Sequence, residues 1–347
     1  MATSSPDQLP RRLFLVSTPR TASNLLVRVL NIQNQPEVVT NEKSGYFFFE
    51  PYTVATAKGY FSKPVSQWEP DQKAEYQTLL QQAFDNLEAH GDRAQNEQGK
   101  RILWTKEHAF WFANPAAEFD GTSDTAQDRP FSLTMPGYSA DATFSKHNNT
   151  LFSDKYLSTW KFSFLIRHPA LAWPSMYRAL QGLSEIGMMG EQQAGAMKAA
   201  QLANMTYKWT RSLYEWCSEH QAPGANKPLI LDAHDIILDP GVVLKFCEET
   251  GLDKSVLQFE WESQPTGEFW HENRGYVKDA ANLMTATLRG SKGVMKDKAP
   301  LEIDIAKEAE KWKAEFGRET GEKLEVVVRK TMDDYEFLRE RRMKMTD

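Results

Sequence analysis

The chain has few cysteines: two among 347 residues, at Cys217 and Cys247. They are too few and too isolated for a disulfide framework or a cysteine-based zinc site, so we expect packed thiols in a reducing compartment. Four histidines show no metal-ligand spacing either, and the sequence therefore predicts no metal at His147, His168, His234 or His271.

Long apolar runs are also absent from the sequence. No stretch approaches the length needed to span a bilayer, and residues 1–12 lack the apolar centre of a secretory signal. We therefore expect a cytoplasmic protein with no membrane partner.

The sequence has no excess of positive charge. It contains 41 Lys and Arg against 47 Asp and Glu, a formal net charge of −6. Nucleic acid would favour a net basic face, so no nucleic-acid partner is expected and any anion must be bound locally. What the chain does have is 41% hydrophobic and 12% aromatic residues, which suits a large core.

Four short apolar runs predict strands, at residues 13–17, 102–105, 162–166 and 229–231. The runs are continuous rather than alternating, which is typical of strands buried on both faces of a parallel sheet. Apolar residues three and four apart predict amphipathic helices, at residues 69–90, 191–220 and 302–317. The predicted fold class is α/β, a three-layer sandwich with a central parallel sheet and with helical and loop insertions.

The stretch LFLVSTPRTASNLLVRVL, residues 13–30, combines a strand, a polar turn and a helix. A strand ending at Ser17 that feeds a helix starting near Ser23 leaves unpaired N–H groups and the positive end of a helix dipole at the sheet edge. Such a turn can cradle a phosphate, and Arg20 adds a permanent positive charge. The alternative is an ordinary turn in which Ser23 or Asn24 only caps the helix.

A second strand end has the same character, in KFSFLIRHPALAWPSMYRAL at residues 161–180. Ser175 lies eight residues beyond Arg167, about two helical turns on, where its hydroxyl could reach a group that the arginine holds. Arg167 alone could equally be a salt-bridge partner. Together, two strand ends with cationic and hydroxyl donors predict a ligand with two separated anionic groups.

These stretches resemble the donor-binding motifs of sulfotransferases. STPRTASNLL is similar to the 5′-phosphosulfate loop of that family, and RHPALAWPS to its 3′-phosphate motif. Three further segments resemble family motifs in the expected order: WTKEHAF at 104–110, LILDAHDIILDPGVVLKFCEETGL at 229–252 and RGSKGVMK at 289–296. The resemblance implies a P-loop-like fold, a single domain over residues 1–347, and 3′-phosphoadenosine 5′-phosphosulfate (PAPS) as co-substrate, with 3′-phosphoadenosine 5′-phosphate (PAP) as product.

The resemblance also implies roles for individual residues. Arg20 would face the leaving 5′-phosphate, Lys106 would be a second cation on the sulfuryl group, and His108 would be the base that takes the acceptor's proton. The expected contacts to the 5′-phosphate are Arg20, Thr21, Ala22, Ser23 and Asn24. Those to the 3′-phosphate are Arg167, Ser175, Arg289 and Gly290.

A glutamate is the alternative base, since family branches with arginine in the first loop often use one. Glu42 is the stronger candidate and Glu50 the weaker, both near the expected acceptor cleft. The aromatic run Tyr46–Phe49, together with Trp111, could line a pocket for a flat or apolar acceptor, or could belong to the core.

The sequence departs from the family pattern at several positions. Ala22 stands where glycine is usual, so a positive φ there would strain the chain by roughly 1 kcal/mol. Leu25 replaces a tryptophan that commonly stacks on adenine, and Leu288 replaces a basic residue. Residues 113–150 form a loop insertion rich in Ser, Thr, Asp, Pro, Gly and Asn, which we expect to cover the acceptor pocket.

The function expected is transfer of a sulfuryl group to a hydroxyl of a small molecule such as a phenol, an alcohol or a specialised metabolite. One alternative is an enzyme that sulfonates only to create a leaving group for elimination or cyclisation, and another is a non-catalytic nucleotide-binding relative. A nucleotide kinase is disfavoured because the motif G-x-x-x-x-G-K-[ST] is absent. Neither the acceptor nor the oligomeric state is encoded in a short motif.

Overall fold

The computed structural model describes residues 10–116, 129–138, 142–185, 204–220, 227–264 and 276–345. The predicted helix at 191–220 therefore lies partly outside the described residues, and so does part of the 113–150 insertion. His271 lies outside them entirely.

Within these residues, five strands form one sheet in the order β2-β3-β1-β4-β5. The strands are β1 (Arg11–Ser17), β2 (Val38–Val39), β3 (Ile102–His108), β4 (Lys161–Ile166) and β5 (Leu229–Asp232). All four pairings are parallel, which confirms the predicted central sheet. The apolar runs predicted four of the strands. The pattern missed β2, because two residues are too few to show one.

Helices connect the strands. They are α1 (Ser23–Leu30), α2 (Phe49–Ala57), α3 (Pro70–Asn96), α4 (Asp154–Leu157), α5 (Pro169–Glu185), α6 (Lys208–His220), α7 (Ala233–Leu238), α8 (Pro240–Thr250), α9 (Tyr276–Gly290), α10 (Ile305–Phe316) and α11 (Arg318–Glu340). Among the described helices, none is both long enough and apolar enough to cross a bilayer.

The sheet separates two hydrophobic cores. Successive residues of β1 alternate between them: Phe14 and Val16 face one core, and Leu13 and Leu15 face the other. Helices α3, α5, α6, α10 and α11 pack on the first face, and α1, α7 and α8 on the second. Because side chains alternate along a strand, the continuous apolar run in β1 serves both cores, and the structure has the predicted three layers.

The described part of the insertion packs along α3. The side-chain amides of Gln77 and Gln81 exchange hydrogen bonds with the backbone of Ser132 and Thr134, as a neighbouring strand would. Buried Leu133 adds an apolar contact to the same core. This segment is therefore held against the first face of the protein.

Candidate active site

A cavity of about 750 Å³ lies at the carboxyl edge of the sheet. Its wall takes residues from the turn after β1, from the end of β3 and from the residue that follows β4. In β1 and β3 the last residues are paired, Ser17 with His108, so both strands end level at the cavity. The two strand ends predicted to carry cationic and hydroxyl donors, those of β1 and β4, therefore meet at one place, together with the end of β3 that holds His108.

The turn after β1 adopts an uncommon backbone. Arg20 has φ 70° and Ala22 has φ 66° and ψ 24°, both in the left-handed region. The hydroxyl of Thr21 is turned inward and donates to the carbonyl of Thr18 at 2.8 Å. Thr21 therefore shapes the turn, while Ala22, Ser23 and Asn24 line the cavity.

Ala22 adopts a left-handed backbone at a position where the family pattern usually has glycine. That conformation is strained for alanine because alanine has a Cβ atom. We expect Ala22→Val to lower the free energy of unfolding by about 2 kcal/mol, because a β-branched residue is strongly disfavoured at positive φ. Ala22→Gly should leave stability unchanged or raise it, since glycine adopts this conformation freely but gains entropy in the unfolded chain. Denaturant unfolding of the two variants measures the difference. Equal stability of both would show that the turn relaxes to another shape.

Arg20 and Arg167 lie side by side on the cavity wall. Nε of Arg20 donates to Oγ of Ser175 at 2.9 Å, and its Nη1 donates to the Met284 carbonyl in α9 at 2.6 Å. Arg167 donates from Nη1 to the carbonyl of Arg20 at 3.2 Å and from Nη2 to that of Lys298 at 3.1 Å. The polar groups after β1 and those after β4 are therefore in direct contact, because Arg20 bonds to Ser175 and Arg167 bonds to the Arg20 carbonyl.

In the described part of the chain, no carboxylate lies within ion-pair distance of either arginine. Burial, and then the charge of Arg167, lower the pKa of Arg20 to about 10, so Arg20 is still charged at neutral pH. Asp232, at the end of β5, exerts only a longer-range attraction on Arg167. Two adjacent, partly buried cations with neutral partners favour an anionic ligand.

Tyr207, which the sequence did not single out, holds the backbone of Arg167. Its hydroxyl accepts from the Arg167 N–H at 2.8 Å and donates to the Arg167 carbonyl at 2.6 Å. The Tyr207 ring packs against Tyr335 of α11, whose hydroxyl donates to Asp232 at 2.8 Å. Sequence motifs do not reveal this clamp because Tyr207 lies 40 residues from Arg167.

His108, at the end of β3, is buried and lines the cavity. Its Nδ1 lies 2.9 Å from Oγ of Ser17, and its Nε2 lies 3.1 Å from Oη of Tyr46. Burial and then the charge of Lys106 hold the pKa of His108 well below 6.5. The imidazole is therefore neutral at physiological pH, as a general base requires.

Lys106 and Glu107 lie behind the cavity wall. Nζ of Lys106 donates to Oδ1 of Asn24 at 2.6 Å and lies 4.0 Å from the centre of the Tyr46 ring. Burial lowers the pKa of Lys106 to about 7. Glu107 accepts from the Phe48 N–H at 2.9 Å, and burial raises its pKa to about 8. Lys106 therefore acts on the cavity through Asn24 and Tyr46 rather than from the wall.

Several predicted residues are not brought to the cavity. Glu42 and Glu50 are exposed and neither lines it, because the chain between them turns Tyr46 and Phe49 inward instead. Arg289 bonds to Asn282 and to the Gln264 carbonyl. Neither Arg289 nor Gly290 lines the cavity. The residues on either side of them in the chain, Leu288 and Ser291, do.

Aromatic rings form the end of the cavity beside His108. Tyr52 stacks on Trp111 with centroids 4.9 Å apart, and Tyr46 and Phe49 lie 5.0 Å and 5.2 Å from the same indole. All four also line the cavity, so this group serves both as core and as wall. Of the described residues of the 113–150 insertion, none reaches the wall, so the expected cover is not seen there.

The described ranges contain no group of three His, Cys, Asp or Glu side chains that could hold a metal ion. His147 instead lies 3.5 Å from Glu215, and His168 packs edge-on against Tyr335. Both free cysteines are buried.

Two relatives match nearly the whole chain. The protein "Sulfotransferase ppzF" of Metarhizium rileyi (strain RCEF 4871) is 35% identical over 345 residues, covering 96% of this chain and 97% of its own length. The protein of the same name from Metarhizium majus (strain ARSEF 297) is 33% identical over 351 residues, with the same coverage. The chain therefore belongs to the sulfotransferases.

Two solved structures are also similar. One is the sulfotransferase domain from the curacin biosynthetic pathway, at 16% identity and a TM-score of 0.36, covering 89% of this chain and 98% of that domain. The other is the sulfotransferase domain from the Synechococcus PCC 7002 olefin synthase, at 13% identity and a TM-score of 0.32, covering 90% and 98%. No family model matches the chain.

Proposed function

We propose that this sulfotransferase moves the sulfuryl group of PAPS to a hydroxyl group of a small molecule. The observation that carries the proposal is the pair Arg20 and Arg167, which face one cavity without a carboxylate partner among the described residues. Phosphate and sulfate groups supply the negative charge that such a pair favours. The neutral imidazole of His108, on the same cavity, supplies a base for the acceptor.

In this proposal Arg167 and Ser175 bind the 3′-phosphate, and the turn at residues 22–24 binds the 5′-phosphosulfate. Arg20 would exchange the Met284 carbonyl for an oxygen of the leaving phosphate. That exchange is favourable because an ionised phosphate oxygen accepts a stronger hydrogen bond than a peptide carbonyl does. Arg20 would then offset the charge that develops as the sulfur–oxygen bond breaks.

The adenine ring is assigned to the part of the cavity lined by Leu25 and Leu288. By resemblance, Leu25 stands where a tryptophan commonly stacks on adenine and Leu288 stands where a basic residue is common, so both positions offer apolar contact instead. Burial of a flat base between aliphatic side chains is favourable in proportion to the apolar area removed from water. The aromatic end of the cavity, with Phe49, Tyr52 and Trp111, is left for the acceptor.

Calorimetry with PAP tests the donor assignment, and PAPS turnover with a panel of phenols and alcohols tests transfer. We expect PAP to bind more tightly than ATP, because ATP lacks the 3′-phosphate that is assigned to Arg167 and Ser175. Mass analysis for retained sulfate separates stable transfer from sulfonation that only creates a leaving group. If PAP did not bind, the proposal that PAPS is the sulfuryl donor would be wrong.

Loss of the Tyr207 clamp should weaken binding of the 3′-phosphate. Tyr207→Phe leaves the N–H and carbonyl of Arg167 without their partner, so we expect PAP affinity to fall about tenfold. AMP, which lacks the 3′-phosphate, should bind the variant as it binds the unaltered protein. Calorimetry with both nucleotides measures the ratio.

Tyr214→Phe is the matched control, since Tyr214 lies in α6 and packs on Phe164 of β4 without facing the cavity. It should leave the PAP-to-AMP ratio unchanged. An equal loss for both nucleotides in Tyr207→Phe would mean that the residue only supports the fold.

A further inference from the structure

Tyr46 stands between the base and the donor-binding turn. Its hydroxyl lies 3.1 Å from Nε2 of His108 and also forms a hydrogen bond with Ser23, the first residue of α1. Tyr46 lines the cavity although its side chain is 95% buried by neighbours, with 5% exposed. The hydroxyl therefore links the base to the turn assigned to the phosphosulfate.

The hydrogen-bond directions follow from the partners of Ser17. Oγ of Ser17 donates to the carbonyl of Glu107 at 3.3 Å, so it accepts from Nδ1–H of His108. The neutral ring then has its lone pair on Nε2, where it accepts from the hydroxyl of Tyr46. Burial raises the pKa of Tyr46, which keeps its proton in place.

This arrangement covers the lone pair that the base needs. Both nitrogens of His108 are occupied by side chains of the protein, so an acceptor hydroxyl reaches Nε2 only through the position of the Tyr46 hydroxyl. Nζ of Lys106 lies 4.0 Å from the centre of the Tyr46 ring. In its protonated form, Lys106 places a cation on the ring face, which stabilises negative charge that develops on the phenolic oxygen.

We propose that Tyr46 is a catalytic residue that contacts the acceptor and relays its proton to His108. The acceptor O–H proton passes to Oη of Tyr46 as the Tyr46 proton passes to Nε2 of His108. The acceptor oxygen forms a bond to sulfur, and the bond from sulfur to the bridging oxygen breaks, leaving its electron pair on the 5′-phosphate of PAP. This inference rests on the proposed function.

Single-turnover rates of PAP formation from PAPS, with the phenol and alcohol panel and with water alone, test the relay. Tyr46→Phe, His108→Gln and the double variant should each lose about 100-fold or more in rate, with the double variant no slower than the slower single one. PAP affinity should stay within about threefold of the unaltered value in all three. Tyr60→Phe, which removes a hydroxyl bonded to Glu75 outside the cavity, is the control.

A phenol with strongly electron-withdrawing groups provides a second readout. Such an acceptor is already ionised at neutral pH, so Tyr46→Phe should turn it over at nearly the unaltered rate. A merely structural role would slow ionised and neutral acceptors alike. In the unaltered protein, the rate in mixtures of H₂O and D₂O should curve with the D₂O fraction, because two protons move together. A linear dependence would overturn the relay without any variant.

The outcomes separate the inference from the proposed function. If the unaltered protein binds no PAP and forms none from PAPS with any acceptor, both fail together. If it is active and Tyr46→Phe keeps or gains rate, the hydroxyl only covers the base, and the relay is wrong. Losses that multiply in the double variant would show that Tyr46 and His108 act independently, and would also overturn the relay.

Discussion

Arg167→Ala is expected to weaken PAP binding about a hundredfold, because it removes a charge-assisted contact to phosphate worth up to about 3 kcal/mol. Arg167 is partly buried and its backbone is clamped by Tyr207, so no other side chain can move into its place without rearrangement. Arg167→Lys should give an intermediate loss, since it keeps the charge but not the planar fork. Titration calorimetry measures all three proteins.

Arg211→Ala is the matched control for Arg167→Ala. Arg211 is also partly buried, but it pairs with Asp334 and Glu215 and does not line the cavity. Its removal should leave PAP affinity within about twofold of the unaltered value. Tight PAP binding by Arg167→Ala would mean that the 3′-phosphate binds elsewhere, and the assignment of Arg167 to that phosphate would be wrong.

His108→Gln is expected to lower the rate of sulfuryl transfer by about 10²- to 10⁴-fold while leaving PAP affinity within about threefold. Glutamine keeps the size and polarity of the side chain but cannot take a proton. Glu42→Gln is the comparison, because Glu42 is exposed and lies off the cavity wall. Steady-state rates for the two variants decide between His108 and Glu42, the stronger of the two glutamates that the sequence left open beside it. A large loss in Glu42→Gln with none in His108→Gln would move the base role to the glutamate.

The pH dependence of the same reaction provides an independent check. The pKa of His108 is held well below 6.5 by burial and by Lys106, so the neutral, active form persists below the pH at which an ordinary histidine becomes charged. The fall in transfer rate on acidification should therefore occur below pH 6.5 and not at it. If the midpoint of the decrease in rate lay above pH 6.5, a group other than His108 would control the rate, or His108 would be more exposed to solvent than its burial implies.

Local patterns predicted much of the architecture. The apolar runs identified β1, β3, β4 and β5 because buried parallel strands have no polar face to interrupt them. The turn after β1 was recognisable because a strand, a polar turn and a helix follow one another within 18 residues. The left-handed backbone of Ala22 was anticipated only through the family pattern, since composition does not report φ.

The candidate site was predicted in part. Arg20, Arg167 and His108 each follow or end a strand, and ends of neighbouring parallel strands meet at one edge. Glu42 and Glu50 were expected near the acceptor cleft, but the structure leaves them off the cavity wall. The direction in which an irregular segment turns depends on what it packs against, and the local sequence does not record that. Here the aromatic side chains between them are buried, and the two carboxylates are left in water.

The positions of β1, β3, β4 and β5 and their positive strand ends were determined by the sequence alone, because they depend on hydrophobic periodicity and on residues adjacent in the chain. Only the tertiary structure decided that Ser175 contacts Arg20, that Tyr207 clamps Arg167 and that Tyr46 covers Nε2 of His108. Each of these contacts joins residues at least 40 positions apart. Their geometry depends on how the two cores pack around the sheet, and no short motif records that packing.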